Sequence, residues 1–197
     1  MEAVIIDSGG ANLASLQFAL ERLGARATVS ADGREIAAAA RVVLPGVGSA
    51  ADAMQRLRRA GLAEVLLKLR QPVLGICLGM QLLFERSEEG PTDCLALLPG
   101  TVRRLQAERG RPVPHMGWNQ LTLPGRDPLL EGIEPGEYFY FVHSYAVPAS
   151  EVTLAGAQYG ETISAVVRRA NFWGTQFHPE RSASAGARLL ANFLRLT

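Results

Sequence analysis

The stretch Pro72-Val73-Leu74-Gly75-Ile76-Cys77-Leu78-Gly79-Met80-Gln81-Leu82-Leu83-Phe84 joins two apolar runs through a cysteine set between two glycines. The first run reads as a strand covered on both faces, and the second as a helix that starts at the cysteine. The thiol then sits on the tight turn between them. Gly75-x-Cys77-x-Gly79 follows the logic of a nucleophile elbow, in which glycines permit a strained turn and close packing of helix on strand. A thiol attacks as thiolate, and the unpaired amides and positive dipole end of a helix N-terminus favour that form. The amide of Leu78 would face the oxygen of a tetrahedral intermediate. The competing reading is a small buried cysteine between packing glycines.

Upstream, strands and helices alternate. Ala3 to Ile6 is a short apolar run, and Asp7 to Ala11 a glycine-containing turn. Leu13, Leu16, Leu20 and Leu23 recur at helical spacing, with Gly24 placed to end that helix. Ala27 to Val29 is a second strand, and Val42 to Leu44 a third that Pro45 should stop. Ser49 can cap a following helix that carries Met54, Leu57, Leu62, Val65, Leu66 and Leu69, broken near Gly61. This βαβ rhythm predicts an α/β fold with a parallel, doubly wound sheet.

Downstream the character changes. Gln120 to Leu123, Tyr138 to Val142 and Ile163 to Val167 are rich in β-forming residues and read as strands and hairpins, some antiparallel. Ala187 to Leu196 has helical spacing, and the polar segment Arg86 to Asp93 reads as a loop. With no linker or internal repeat, the expectation is one domain over residues 1–197.

Composition excludes several classes. A net charge of +1, 48% hydrophobic and 20% charged residues describe an ordinary globular chain, not a disordered or nucleic-acid-binding one. No run approaches the roughly 20 apolar residues of a membrane span. The N-terminus reads as a strand rather than a signal peptide. The two cysteines, Cys77 and Cys94, show no CxxC spacing, so neither metal nor cofactor is expected. A disulfide would consume the candidate nucleophile, which points to a reducing cytoplasm.

A second element lies at Gln176-Phe177-His178-Pro179-Glu180. His178 should stand at a strand end, with Glu180 near enough to fix its tautomer as a triad carboxylate does. His115 and His143 remain competing bases on spacing alone. A third element, Pro45-Gly46-Val47-Gly48, follows a strand and can bring backbone amides of Val47 and Gly48 toward an oxyanion. It is no Walker loop, because no Gly-Lys-Ser/Thr follows, and Gly9-Gly10 lacks the dinucleotide fingerprint.

These three elements, in this order and spacing, resemble the class I glutamine amidotransferases across the whole chain. The resemblance implies a flavodoxin-like fold and a Cys77-His178-Glu180 triad that hydrolyses glutamine through a glutamyl thioester. Pro114-His115-Met116-Gly117-Trp118-Asn119, Tyr140-Phe141-Val142-His143-Ser144-Tyr145, Ser87-Glu88-Glu89-Gly90 and Gly174 to Glu180 are similar to the glutaminase subunits of imidazole glycerol phosphate synthase. That family serves histidine biosynthesis and hands ammonia to a separate (β/α)8-barrel cyclase, forming a heterodimer. The cyclase uses the ammonia to convert a phosphoribulosyl formimino-carboxamide nucleotide into imidazole glycerol phosphate and an aminoimidazole carboxamide nucleotide. The resemblance further places Gln81 and Glu89 near the amino-acid end of glutamine. It puts Gly46, Gly48, His143, Ser144 and Tyr145 around the substrate. Asn12, Met116, Trp118, Tyr140 and Arg181 would face the partner.

Three positions depart from the family pattern. Ser8 stands where the family usually has tyrosine, Ala11 where it has glycine, and Arg181 where it has lysine. Arginine keeps the charge but is a planar, larger donor. Glutaminases of anthranilate, aminodeoxychorismate or pyridoxal phosphate synthesis are the nearest alternatives, and the Pro114–Asn119 and His143–Tyr145 segments argue against them. A γ-glutamyl hydrolase or peptidase would use the same triad on a peptide-like bond.

Overall fold

Continuous apolar runs become the centre of a seven-stranded sheet. The computed structural model describes residues 1–9, 13–122 and 126–197. Its first half runs β1 (Glu2–Ile6), α1 (Leu13–Arg22), β2 (Arg26–Ser30), α2 (Gly33–Ala38), β3 (Val42–Gly46), α3 (Ala50–Arg59), α4 (Leu62–Leu66), β4 (Val73–Cys77) and α5 (Leu78–Gln81). Then follow β5 (Arg86–Ser87), β6 (Thr92–Asp93), β7 (Thr101–Arg104), β8 (His115–Gln120), β9 (Tyr138–His143), β10 (Tyr145–Ala146), β11 (Thr153–Tyr159), β12 (Glu161–Arg169), β13 (Phe172–Thr175) and α6 (Ala183–Arg195).

The main sheet has the order β11-β12-β13-β4-β3-β1-β2. The pairs β1/β2, β1/β3, β3/β4 and β4/β13 are parallel, and β11/β12 and β12/β13 antiparallel. Every residue of β3 and β4 is buried, as a sheet covered on both faces requires. Alternate side chains feed two separate cores. Val43, Leu74 and Ile76 pack with α1 and α6 through Leu16, Leu20, Leu189 and Phe193. Val42, Leu44 and Val73 pack with α3 and α4 through Met54, Leu57 and Leu66. A four-stranded sheet, β10-β7-β5-β6, and a two-stranded ribbon, β8-β9, complete the molecule.

Several boundaries differ from the sequence reading. Pro45 does not stop β3, which continues to Gly46, with Pro45 opposite Ile76 and Gly46 opposite Cys77. β1 pairs with β3 only at Val42 and Val43, so beyond Val43 the strand has one neighbour and tolerates a missing N–H. The short helix α2 has no counterpart in the sequence reading; Asp32 caps it by accepting from the Arg34 amide. The segment 86–93 is a hairpin rather than a loop, with Ser87 opposite Thr92. The strand expected over 120–123 lies over 115–120, and Thr122 forms an isolated bridge to Gly156. Leu123, with Gly10, Ala11 and Asn12, lies outside the described residues. The last helix begins at Ala183, four residues earlier than its apolar spacing indicated.

Candidate active site

Cys77 ends β4 with φ 54° and ψ −112°, a conformation unfavourable for any side chain with a Cβ. The flanking glycines explain how the turn fits. A Cβ on Gly75 would lie 2.7 Å from the Gly79 carbonyl oxygen, and one on Gly79 would collide with the Leu44 carbonyl. Gly46 is similarly constrained: its Cβ would meet the Gly79 amide at 2.7 Å. The Gly-x-Cys-x-Gly pattern is therefore a packing requirement of α5 against β3 and β4. Because α5 has only four residues, its axial dipole is small, and the free first-turn amides supply its electrostatic effect. Leu78, the first of those residues, has an N–H with no intrahelical partner.

The parallel strands end together at this point, so their C-terminal edge forms the site. A cavity of about 480 Å³ is lined there by Gly46, Val47, Gly48, Cys77, Leu78 and Gln81. Its remaining wall includes Glu89, His143, Ser144, Tyr145, His178, Glu180 and Arg181. Gly48 has φ +86° with open space around it, so its glycine serves conformation rather than packing. Arg56 of α3 donates to the Ser8 carbonyl at 2.7 Å, tying the first turn to the helix that follows this loop.

His178 lies three residues past β13, and its Nδ1 is 2.8 Å from Glu180 Oε1. The second carboxylate oxygen, Oε2, is buried without a hydrogen-bond partner among the described residues. Burial alone would lower the imidazole pKa, but the neighbouring Cys77 sulfur and Glu180 carboxylate outweigh it and push it up to about 10. Ser182 locks the turn by donating to the His178 carbonyl at 2.7 Å and accepting from the Tyr140 amide at 3.0 Å.

Neither His115 nor His143 pairs with a carboxylate as His178 does. Both are buried, and desolvation lowers them to about 4 and about 3. His143 reaches the cavity wall, whereas His115 stacks between Phe141 and Tyr159. Gln81 is fully engaged as a donor, to the Tyr145 carbonyl at 2.8 Å and to Gln176 Oε1 at 2.9 Å. Glu89 Oε2 accepts from the Ala50 amide at the start of α3. Gln176, unassigned from sequence, is fully buried and directs its amide at the Cys77 sulfur, 3.8 Å away. A buried amide side chain at a strand end, beside the aromatic run that leads to His178, was the available signal.

Met116 and Trp118 lie on the outer face of the β8-β9 ribbon, 63% and 53% exposed. Trp118 pairs with Tyr140 across the ribbon, and their rings meet edge to face at 6.0 Å. Asn12 lies outside the described residues. Among the described residues, no cluster of three His, Cys, Asp or Glu side chains is placed to hold a metal. No described helix is long and apolar enough to cross a membrane.

Residues 4–196 match the family described as glutamine amidotransferase class-I. The chain is 54% identical over 195 residues to the imidazole glycerol phosphate synthase subunit HisH of Xylella fastidiosa strain 9a5c, covering 99% of this chain and 98% of that protein. It is 49% identical over 199 residues to the HisH subunit of Vibrio cholerae, covering 98% of each. Its fold is similar to a crystal structure of a glutamine amidotransferase, with TM-score 0.75, 20% identity and 98% and 96% of the two chains covered. The structure of PurLQS from Thermotoga maritima matches at TM-score 0.71 and 21% identity, covering 98% and 97%.

Proposed function

The chain belongs to the class I glutamine amidotransferase family, and from that premise we infer that it is the glutaminase subunit of imidazole glycerol phosphate synthase. The observation that carries the chemistry is the convergence, in one cavity, of Cys77 on its strained turn and the His178–Glu180 pair. The Cys77 thiolate attacks the side-chain carbon of glutamine, and charge moves to the carbonyl oxygen. The Leu78 amide, with those of Val47 and Gly48, receives that oxyanion. Protonated His178 gives its proton to the departing nitrogen, releasing ammonia and leaving a glutamyl thioester. A water molecule then attacks the thioester while His178 takes its proton, and glutamate leaves as the thiolate returns. Glu180 holds the imidazole through Nδ1, which leaves Nε2 for these transfers.

Gln81 and Glu89 lie near the amino-acid end of glutamine, and Gly46, Gly48, His143 and the backbone of Ser144 and Tyr145 help to hold the substrate. Met116, Trp118, Tyr140 and Arg181 face the partner. The subunit works beside a (β/α)8-barrel cyclase that consumes the ammonia, in the cytoplasm, as a single domain over residues 1–197. Support for the docking face is the pair of large apolar side chains left uncovered on β8. The gate expected over Pro45–Gly48 narrows to the turn after β3: the peptides at Val47 and Gly48 rotate so that the oxyanion hole completes only when partner and nucleotide are bound. Gly48→Pro removes that freedom, because proline cannot adopt φ +86°. Stimulated turnover is then lost, and unchanged stimulation would sink the gate.

The decisive measurement is glutamate release with and without the cyclase and its nucleotide ligand. Stimulation by both supports the assignment. Faster turnover of γ-glutamyl peptides than of free glutamine would replace it with a γ-glutamyl hydrolase.

A further inference from the structure

One buried network in the second half has no part in the triad. In the β8-β9 ribbon, His115 pairs opposite His143 on the inner face, the face away from Met116 and Trp118. His115 Nδ1 lies 2.9 Å from His143 Nε2, and His143 Nδ1 lies 2.8 Å from the Tyr145 carbonyl. At the other end, His115 Nε2 is 3.4 Å from the Asn119 amide nitrogen, which also donates to the Gln158 carbonyl.

The direction of every bond follows from the ends. A carbonyl oxygen only accepts, so His143 carries its proton on Nδ1. Its Nε2 is then the acceptor, and His115 must donate from Nδ1. His115 Nε2 is left as an acceptor for the Asn119 amide. Both rings are neutral in this scheme, and a proton added to either would set two N–H groups against each other or against the Asn119 N–H. Their depressed pKa values agree with that state. The Tyr145 carbonyl at the end of the chain is the one that also accepts from Gln81, and Gln81 binds Gln176, whose amide points at Cys77 Sγ. An unbroken line of polar contacts thus runs from the ribbon to the nucleophile.

We propose that His115 is a positioning residue: with the neutral His143 ring of the cavity wall it forms a one-directional relay that holds residues 143–145 in register with the β8-β9 ribbon. The proposal rests on the glutaminase reading above. It separates the two faces of one ribbon, with the outer face free to meet a partner and the inner face fixing the cavity.

The first test needs no activity. Long-range ¹H–¹⁵N correlation spectra of histidine-labelled protein at neutral pH should show both rings protonated on Nδ1 and bare on Nε2, whereas neutral imidazole in water favours Nε2–H. An Nε2–H signal from either ring overturns the relay. The second test uses glutamine kinetics with the cyclase and its nucleotide ligand present. His115→Asn places an amide N–H near the lost Nδ1–H, whereas His115→Phe keeps the stacked ring and removes the donor. His115→Phe should raise KM for glutamine about fivefold to tenfold with kcat within about twofold, and His115→Asn should recover most of that loss. A packing role predicts the reverse order. A wild-type KM in His115→Phe, or no recovery in His115→Asn, overturns the proposal. If the unmodified chain hydrolyses no glutamine, the glutaminase reading fails instead, and the spectra still decide the relay.

Discussion

Two histidine-bearing regions of this molecule are both desolvated, and their imidazoles shift in opposite directions. At the end of β13, His178 faces a carboxylate and a sulfur, and it is raised to about 10. In the β8-β9 ribbon, His115 and His143 face each other and a carbonyl, and they fall to about 4 and about 3. Burial pushes all three downward. What separates them is whether an anion stands within reach, and here the anion outweighs desolvation. One region therefore holds a mobile proton through neutral pH, while the other holds fixed tautomers. The first suits proton transfer and the second suits positioning.

The strongest way to break this comparison is to remove the two groups that face His178. Cys77→Ala should cut stimulated glutamate release to about one part in ten thousand or less, because nucleophile and base act as a unit. Retained hydrolysis would mean that another group attacks. Next in size is Glu180→Gln, which keeps the shape but removes the charge. It should lower kcat/KM about a hundredfold, within the range of general acid–base catalysis. It should also move the alkaline limb of the pH–rate profile to lower pH, since the lost carboxylate was one of the groups raising His178. A limb that stays in place would show that Glu180 does not set the charge of this imidazole.

The two regions also differ in how far the sequence revealed them. The triad side was legible because most of its constraints are local. Gly75 is dictated by contacts within one strand-turn-helix unit, Gly79 by the close approach of the adjacent strand β3, and Glu180 reaches His178 from two residues away. The relay was not legible. His115 and His143 are 28 residues apart and meet only through the register of a ribbon that begins at 115 rather than 120. Spacing left both as competing bases, and only burial and pairing set them apart from His178. Pro45 teaches a related lesson. Proline marks a strand end only where both neighbours need hydrogen bonds, and β1 had already left the ladder.

A smaller effect is expected on the outer face of the ribbon. Trp118→Ala should weaken cyclase affinity about thirtyfold, the order of an aromatic anchor at the centre of an interface. Titration calorimetry with the barrel measures this directly. Affinity within about twofold of the original would move the docking surface off β8, although the inner-face relay would be unaffected.

The smallest effect sharpens the contrast most, because it reads the neutral imidazoles without catalysis. Well above pH 6.5, His115 and His143 are neutral in folded and unfolded chains alike, so they add no pH dependence there. As pH falls below 6.5, the unfolded chain takes up protons that the folded chain refuses until about 4 and about 3. The unfolded state then binds more protons, so stability falls as pH falls, by up to about 1.4 kcal/mol per pH unit for each ring. His178 has the opposite sign: its contribution is complete below 6.5 and is lost as pH rises through about 10. Urea unfolding of the unsubstituted chain and a His115 variant between pH 6.5 and pH 5 isolates the relay ring, because His178 contributes the same pH dependence to both chains. His115→Phe deletes one titrating ring while keeping the stack on Phe141 and Tyr159, so its stability should fall with a slope shallower by about 1 kcal/mol per pH unit. An unchanged slope would mean that His115 already carries a proton in the folded chain, and the two histidine regions would no longer differ in the way the geometry requires.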